Sequence, residues 1–155
     1  MLYTSYFAKI KDLPKDVVVV GICLKPPKGF VGVNYKPLAP LWYFFSKWKE
    51  TQDNDYYIEC YNKEVLGKLS IEQVLNDIYR LTGQRDNICF VCYEKPNDFC
   101  HRHLFSKWLN EHGYVCVEYN YENNKITNKK GIKKDLENKD AIIEKDKYEQ
   151  LTLFD

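Results

Sequence analysis

The fold is decided by two adjoining stretches, Asn87-Ile-Cys-Phe-Val-Cys-Tyr93 and Asp98-Phe-Cys-His-Arg-His-Leu-Phe-Ser-Lys-Trp-Leu-Asn-Glu-His-Gly113. The first is almost wholly apolar, which is typical of a strand that is covered on both faces of a parallel sheet. The second predicts a helix with Asp98 as its N-cap and an end at Gly113. Residues 114–119 read as a further strand. Strands that alternate with helices predict an α/β fold.

The remaining elements lie on the N-terminal side of these stretches. Residues 2–7 and 17–24 are predicted strands, and an irregular segment follows to about Pro40. Two amphipathic helices are predicted next, one over residues 55–68 and one from the capping box of Ser70 and Gln73 to about Gly83. We therefore expect a single α/β domain over residues 1–121, with a mainly parallel sheet of about four or more strands flanked by helices.

Composition narrows the class of protein. The 155 residues are 45% hydrophobic and 29% charged, with a formal net charge of +1, which is the profile of a globular protein without a global attraction to nucleic acid. No apolar run approaches the roughly 20 residues that span a bilayer, and no signal peptide is visible, so we expect a cytoplasmic protein. The six cysteines lie mostly in apolar runs, which predicts buried thiols with at most one functional thiol.

A cluster of polar residues follows the strand at 87–93. Glu94 comes directly after the strand, and Cys100, His101 and Arg102 fall at the start of the next helix, where ligands of parallel sheets bind. Free backbone N–H groups, the helix dipole and Arg102 predict a site for a phosphate or carboxylate, to which Lys25 is added as a ligand-binding candidate. Glu94 is a candidate general base, and Cys100 beside His101 a candidate nucleophile.

Simpler interpretations of the same residues stay open. Arg102 and Glu94 could form a structural ion pair, Cys100 could be a small packed residue, and His101 and His103 could lie on the helix surface. Cys89, Cys92, Cys100 and His101 or His103 offer sulfur and nitrogen ligands for zinc. Zinc is nevertheless not expected, because Cys89 and Cys92 lie three apart on a predicted strand and point to opposite faces, and the sequence requires no cofactor.

The aromatic residues of the segment 42–48 have two interpretations. Together with Tyr56 and Tyr57 they could offer stacking platforms for bases, with Lys47 and Lys49 touching phosphates. Aromatic residues at helical spacing more often fill a core, and we favour that interpretation for most of them. Trp42 and Tyr56 are the candidates for the mouth of a pocket.

The C-terminal part differs from the rest of the chain. Residues 122–149 are almost wholly charged or polar, which predicts a disordered tether. It is followed at 150–155 by a peptide that resembles the motif with which many bacterial replication and repair proteins bind the DNA polymerase sliding clamp. That resemblance implies that Gln150 binds a polar subsite and that Leu151, Leu153 and Phe154 fill an apolar groove. The alternative is that residues 151–154 pack onto their own domain.

A second resemblance covers roughly residues 1–119. The pattern Cys92-Tyr-Glu94-Lys95 and Cys100-His-Arg-His-Leu104, together with Tyr3-Thr-Ser-Tyr6 and the stretch from Trp48 to Leu66, is similar to the domain of unknown function family 488. The resemblance implies a compact α/β domain with Thr4 and Ser5 added to the site of Glu94, Cys100, His101 and Arg102. It implies no known reaction.

These observations lead to functional hypotheses of different classes. The first is a clamp-tethered DNA-processing or repair factor with a nucleotide or phosphate site, leaning to hydrolysis of a nucleotide or base linkage, with the clamp and DNA or nucleotide phosphate as partners and no membrane. The second is a non-enzymatic adaptor or inhibitor of the clamp, of phage or mobile-element origin. The third is a cytosolic protein that binds a small ligand.

Overall fold

The computed structural model describes residues 1–122, which form five strands and four α-helices and confirm the α/β class. In chain order the elements are β1 (Leu2–Tyr6), β2 (Val18–Gly21), β3 (Val33–Asn34), α1 (Trp42–Thr51), α2 (Asn54–Glu64), α3 (Ile71–Thr82), β4 (Ile88–Cys92), α4 (His101–Glu111) and β5 (Cys116–Glu118). Short 3-10 helices cover Phe7–Asp12, Lys36–Leu38 and Leu66–Lys68.

The sheet is parallel throughout, with the strand order β3-β2-β4-β1-β5. All five residues of β4 are buried, as its continuous apolar run predicts for a central strand. Its register pairs Cys92 with Tyr6 of β1 and Val91 with Gly21 of β2. The carboxyl ends of these three strands therefore meet at one edge of the sheet, where the loops that follow β2 and β4 lie side by side.

The helices cover the sheet with apolar side chains. Phe105 of α4 meets Phe90 of β4 edge to face, with 4.8 Å between the ring centroids. The predicted apolar stripe of α3 is buried at Ile71, Val74 and Ile78, whereas Leu81, which the same period places on the buried face, is 54% exposed. The predicted cap of α3 is also confirmed, since Ser70 Oγ accepts from the Gln73 backbone N–H at 3.4 Å and the left-handed Gly83 ends the helix.

The segment expected to be irregular contains the shortest strand. Val33 and Asn34 form β3, which pairs with Val20 and Gly21 of β2. Two residues carry no readable period, so only their pairing identifies them as a strand. The helix expected over residues 55–68 ends at Glu64, and a 3-10 turn continues it as Leu66–Lys68.

The start of α4 also differs from the prediction. Asp98 is not the N-cap, because the helix begins at His101 and Cys100 takes the cap position with an extended backbone. The physical reason is Phe99, whose ring lies 5.4 Å from Trp48 and 5.1 Å from Tyr57 between centroids. Residues 95–98 form a turn, in which the Asp98 backbone N–H donates to the Lys95 carbonyl oxygen at 3.0 Å, and the helix begins only after the Phe99 side chain has reached between α1 and α2.

Within residues 1–122, no helix is long and apolar enough to cross a membrane. The expected tether beyond Glu122 and the peptide with Gln150, Leu151, Leu153 and Phe154 lie outside the described residues.

Candidate functional site

A cavity of about 420 Å³ opens at the carboxyl ends of β2 and β4. Parallel α/β sheets bind ligands at this edge. The loop after β2, the loop between β4 and α4, and the helices α1 and α2 all contribute walls. The lining residues are Cys23, Leu24, Lys25, Pro40, Trp42, Phe45, Trp48, Lys49, Tyr57, Cys92, Tyr93, Glu94, Phe99, Cys100 and His101.

One wall of the cavity is aromatic. Trp48, Tyr57 and Phe99 pack against one another with centroid distances of 5.1–5.8 Å. Trp42 lies at the mouth and is 63% exposed, whereas Tyr56 does not line the cavity and instead packs under the ammonium group of Lys47. An apolar wall of this kind binds flat, unsaturated ligands by stacking.

The floor holds two thiols and an imidazole. The ligand atoms of Cys92, Cys100 and His101 lie within 4.8 Å of one another, and His101 Nδ1 is 4.0 Å from each sulfur. His101 Nε2 lies 2.5 Å from the carbonyl oxygen of Ile22. Because a carbonyl only accepts, Nε2 carries the hydrogen and the ring presents Nδ1 to the sulfurs. All three side chains are buried.

Glu94 lies two residues beyond the end of β4, beside this floor. Its carboxyl group interacts with both thiols, but among the described residues its buried Oε2 has no hydrogen-bond partner. Burial raises the pKa of Glu94, and the negative charge on Cys100 raises it further. The carboxyl group therefore keeps its proton to a higher pH than an ordinary glutamic acid, which suits a general acid or base.

The two thiols of the floor differ in acidity. Burial disfavours the Cys100 thiolate, but the hydrogen bond from Cys92 and the positive charges of His101 and Arg102 outweigh it, so the pKa of Cys100 lies well below its ordinary value. The pKa of Cys92 is raised, since its proton is held by Cys100 and burial adds to the effect. Burial alone would lower the pKa of His101, yet the neighbouring Cys100 thiolate reverses the shift and raises it.

Arg102 has a different place from the one expected. Its side chain is fully buried and does not belong to the cavity lining. Its guanidinium donates to Glu118 from Nη2 at 2.9 Å and from Nε at 3.2 Å, and to the Glu94 carbonyl oxygen from Nη1 at 2.6 Å. The expected anion-binding role of Arg102 is thereby corrected, because its guanidinium group already binds the carboxylate of Glu118 of β5 through two nitrogens. Arg102 instead holds the main chain of Glu94.

The other residues expected at the site divide between two places. Thr4 donates to Glu118 at 2.5 Å and Ser5 shares a hydrogen bond of 2.6 Å with Tyr121, so both belong to the buried network around Arg102 rather than to the cavity. Lys25 lines the cavity, as do Glu94, Cys100 and His101. The structure therefore brings four of the expected residues together and separates Arg102, Thr4 and Ser5 from them.

Sequence reasoning missed part of the lining. Cys92 has no role of its own in the predicted site, although its position at the end of a strand and two residues before Glu94 indicates the site edge. Phe99 and Tyr57 carried no signal that separates a pocket wall from a core position. Lys49 is predicted only as a possible phosphate contact of the aromatic segment, and the structure places it in the cavity lining.

A family model described as "Active DUF488-N3 subclade" matches residues 4–113. The matched range runs from β1 to just beyond α4 and includes every residue of the cavity floor. Neither the curated proteins nor the solved structures contain a significant match to this chain.

Proposed function

The chain belongs to the domain of unknown function family 488, and we propose that it is an enzyme that hydrolyses a nucleotide or a base linkage in the cavity beyond β2 and β4. The observation that carries this proposal is the position of Glu94. Its carboxyl group lies at the floor of an aromatic cavity, beside two thiols and an imidazole, with one buried oxygen lacking a hydrogen-bond partner in the described part of the chain.

The walls favour a planar, anionic substrate. Trp42, Trp48 and Phe99 offer faces on which a base can stack, and Lys25 and Lys49 bring positive charge to the same cavity. A volume of about 420 Å³ lies within the usual range for small-molecule sites. With Arg102 paired to Glu118 and His101 bonded to the Ile22 carbonyl oxygen, these two lysines are the cationic side chains of the described lining that remain for a phosphate.

The description of the matching family model as an active subclade supports an enzyme over a passive binder. In the proposed reaction, water attacks the bond next to the base or phosphate. Glu94 takes a proton from that water and returns it to the leaving group, so that the carboxyl group is unchanged after one turnover.

Ligand binding tests the choice of substrate class. Purine and pyrimidine nucleoside monophosphates should quench the tryptophan fluorescence of the full chain, because Trp42 and Trp48 line the cavity. Lys25→Ala should weaken this binding by about tenfold, the loss of one charge-assisted contact. Lys28→Ala, an exposed lysine outside the cavity, is the matched control. Equal affinities of both variants and the wild type would rule out the proposed phosphate contact.

We further propose that residues 150–154 recruit this enzyme to the DNA polymerase sliding clamp, as the sequence resemblance implies. A peptide that binds with only micromolar affinity suffices, because a tether raises its effective concentration at the target. The full chain should retain purified clamp in a pull-down, whereas the Leu153→Ala, Phe154→Ala variant should not. Retention of the clamp by both proteins would refute the recruitment.

One observation favours a second chemical route for the same activity. The lowered pKa of Cys100 and the adjacent His101 suit a covalent mechanism, in which the Cys100 thiolate attacks the substrate and Glu94 protonates the leaving group. A covalent adduct of Cys100, trapped by acid quench and detected by mass spectrometry, would establish this route.

A further inference from the structure

We propose that Cys92, Cys100 and His101 bind a zinc ion at the floor of the cavity, with a fourth position open to a water molecule that Glu94 deprotonates. The substrate class of this site rests on the proposed function. The metal site itself rests on the geometry of the three side chains. Two thiolates and one imidazole, with a water in the fourth position, form a donor set found in catalytic zinc enzymes.

The distances are close to those of a bound ion. From zinc–sulfur and zinc–nitrogen bonds of about 2.3 and 2.1 Å at a tetrahedral angle, sulfur and nitrogen ligands lie about 3.6 Å apart and two sulfurs about 3.8 Å apart. His101 Nδ1 is 4.0 Å from each sulfur, and the whole group lies within 4.8 Å. Side-chain movements of about half an ångström to one ångström would complete the coordination.

Contacts around Cys92, Cys100 and His101 hold their sulfur and nitrogen atoms close to one another. The hydrogen bond from His101 Nε2 to the Ile22 carbonyl oxygen fixes the ring so that Nδ1 faces the sulfurs. Zinc-bound histidines are usually oriented by such a bond from the second ring nitrogen. Cys92 ends the central strand β4, and Cys100 caps α4. Donors held on a strand and at a helix start form a preorganised site.

Glu94 supplies the independent observation that points to a ligand at this place. Its carboxyl group lines the same cavity as both thiols, and its buried Oε2 finds no hydrogen-bond partner within residues 1–122. A buried polar atom without a partner is costly. A water bound to the metal would satisfy this oxygen from the cavity side.

Cys23 is the rival for the fourth position. It packs against Cys92 and Cys100, which would make a closed site with three thiolates and no catalytic water. Its sulfur, however, lies 3.5 Å from Asn34 Oδ1, and it falls outside the group of mutually close donors found among the described residues. The open position is therefore assigned to water.

The chemical step balances with water as the only co-reactant. The bound water gives one proton to Glu94 and its oxygen to the carbon or phosphorus under attack. As the bond to the leaving group breaks, that group accepts the proton from Glu94. Zinc deaminases of nucleobases use the same kind of arrangement, in which a glutamate beside a Cys and His ligand set transfers protons without binding the metal.

The test measures zinc itself. The full chain is stripped with a chelator, titrated with Zn²⁺ against a chromophoric competitor, and then loaded with Co²⁺, whose absorption reports thiolate ligands. We expect one metal ion per chain. Cys92→Ser, Cys100→Ser and His101→Ala should each lower zinc affinity by about 100-fold, since each removes one of three protein ligands. Cys60→Ser on α2 is the matched control and should change nothing.

Two further variants separate zinc binding from hydrolysis. Cys23→Ser should keep the affinity of the wild type, and Glu94→Gln should keep zinc but lose hydrolysis. Far-ultraviolet circular dichroism excludes variants that have not folded.

Failure of the wild type to bind Zn²⁺, or full affinity in folded Cys100→Ser, would overturn the metal site. Zinc binding without hydrolysis of any nucleotide would leave the metal site standing and refute the proposed function. Hydrolysis by the stripped protein would leave the proposed function standing, refute a catalytic role for the metal and favour the covalent route through Cys100.

Discussion

The buried ion pair between Arg102 and Glu118 shows how one residue can serve both stability and site geometry. Arg102 is the largest fully buried side chain in the described part of the chain. Its guanidinium group donates hydrogen bonds to the Glu118 carboxylate and to the carbonyl oxygen of Glu94. Thr4 also donates to the Glu118 carboxylate. Burying charges is costly, and removal of one partner leaves the other without compensation. The network therefore stabilises the domain and holds the main chain from which the Glu94 side chain extends.

Replacement of Arg102 tests this role. Arg102→Ala should lower the free energy of unfolding by about 3 kcal/mol, because Glu118 is left without its cation in a largely buried place. Arg80→Ala is the control, since the guanidinium of Arg80 is 74% exposed and its pair with Asp77 is worth about 1 kcal/mol or less. Urea denaturation measures both variants. Equal losses would show that the Arg102 pair is no more important than a surface pair.

The sequence predicted the residue types of the site better than their partners. Glu94, Cys100, His101 and Lys25 reach one cavity because parallel strands bring their carboxyl ends to one edge. The pairing of Arg102 with Glu118 could not be predicted, because it depends on β5 lying beside β1 rather than on any spacing in the chain.

At the scale of the elements, β3 matters more than its two residues suggest. Asn34 donates from Nδ2 to the Cys23 carbonyl oxygen at 2.9 Å and accepts from the Cys23 backbone N–H at 3.4 Å, which holds the loop that carries Lys25. This contact requires Gly21 on β2, since a Cβ there would lie 2.6 Å from Asn34 Oδ1. The sequence offered no period from which this contact could be predicted.

A pair of substitutions tests the contact between β2 and β3. Gly21→Ala should lower the free energy of unfolding by about 1–3 kcal/mol, the usual cost of overpacking a site. Asn34→Ala removes the atom that would clash, so the double variant should be more stable than the sum of the two single effects by at least about 0.5 kcal/mol. Thermal and urea unfolding measure the three variants. Strict additivity would show that the two residues do not meet.

Helix α4 illustrates why boundaries are harder to predict than elements. Its existence and its end near Gly113 agree with the sequence, because the apolar period and the glycine are local signals. Its start does not, because Phe99 is drawn into contact with Trp48 and Tyr57, which are about 40–50 residues away in the chain. The tertiary contact of Phe99 therefore outweighed the local preference for Asp98 as the N-cap.

At the scale of the whole molecule, the described residues form a five-stranded parallel sheet with a cavity at one edge. The cavity lining between Cys23 and His101 and the network of Arg102 lie within residues 1–122, and the family match ends within the same range. We therefore expect the catalytic and recruiting parts of the chain to be separable in function. The proposed function assigns hydrolysis to the domain and clamp binding to residues 150–154.

Deletion of residues 150–155 tests this separation. The shortened chain should unfold at the same urea concentration as the full chain and should bind nucleoside monophosphates with unchanged affinity, while clamp retention is lost. The physical reason is that the described lining of the cavity lies between Cys23 and His101. A clear loss of stability would instead support the alternative in which Leu151, Leu153 and Phe154 pack onto their own domain.

The position of Glu94 in the cavity is tested most directly by the rate of hydrolysis. Nucleoside monophosphates and a short single-stranded oligonucleotide are incubated with the wild type, Glu94→Gln and the control Glu50→Gln, whose carboxylate is exposed on α1. Products are separated by chromatography. The wild type and Glu50→Gln should release the same product at the same rate, and Glu94→Gln should be slower by about 100-fold or more, with KM little changed. An equal rate in Glu94→Gln would contradict the account.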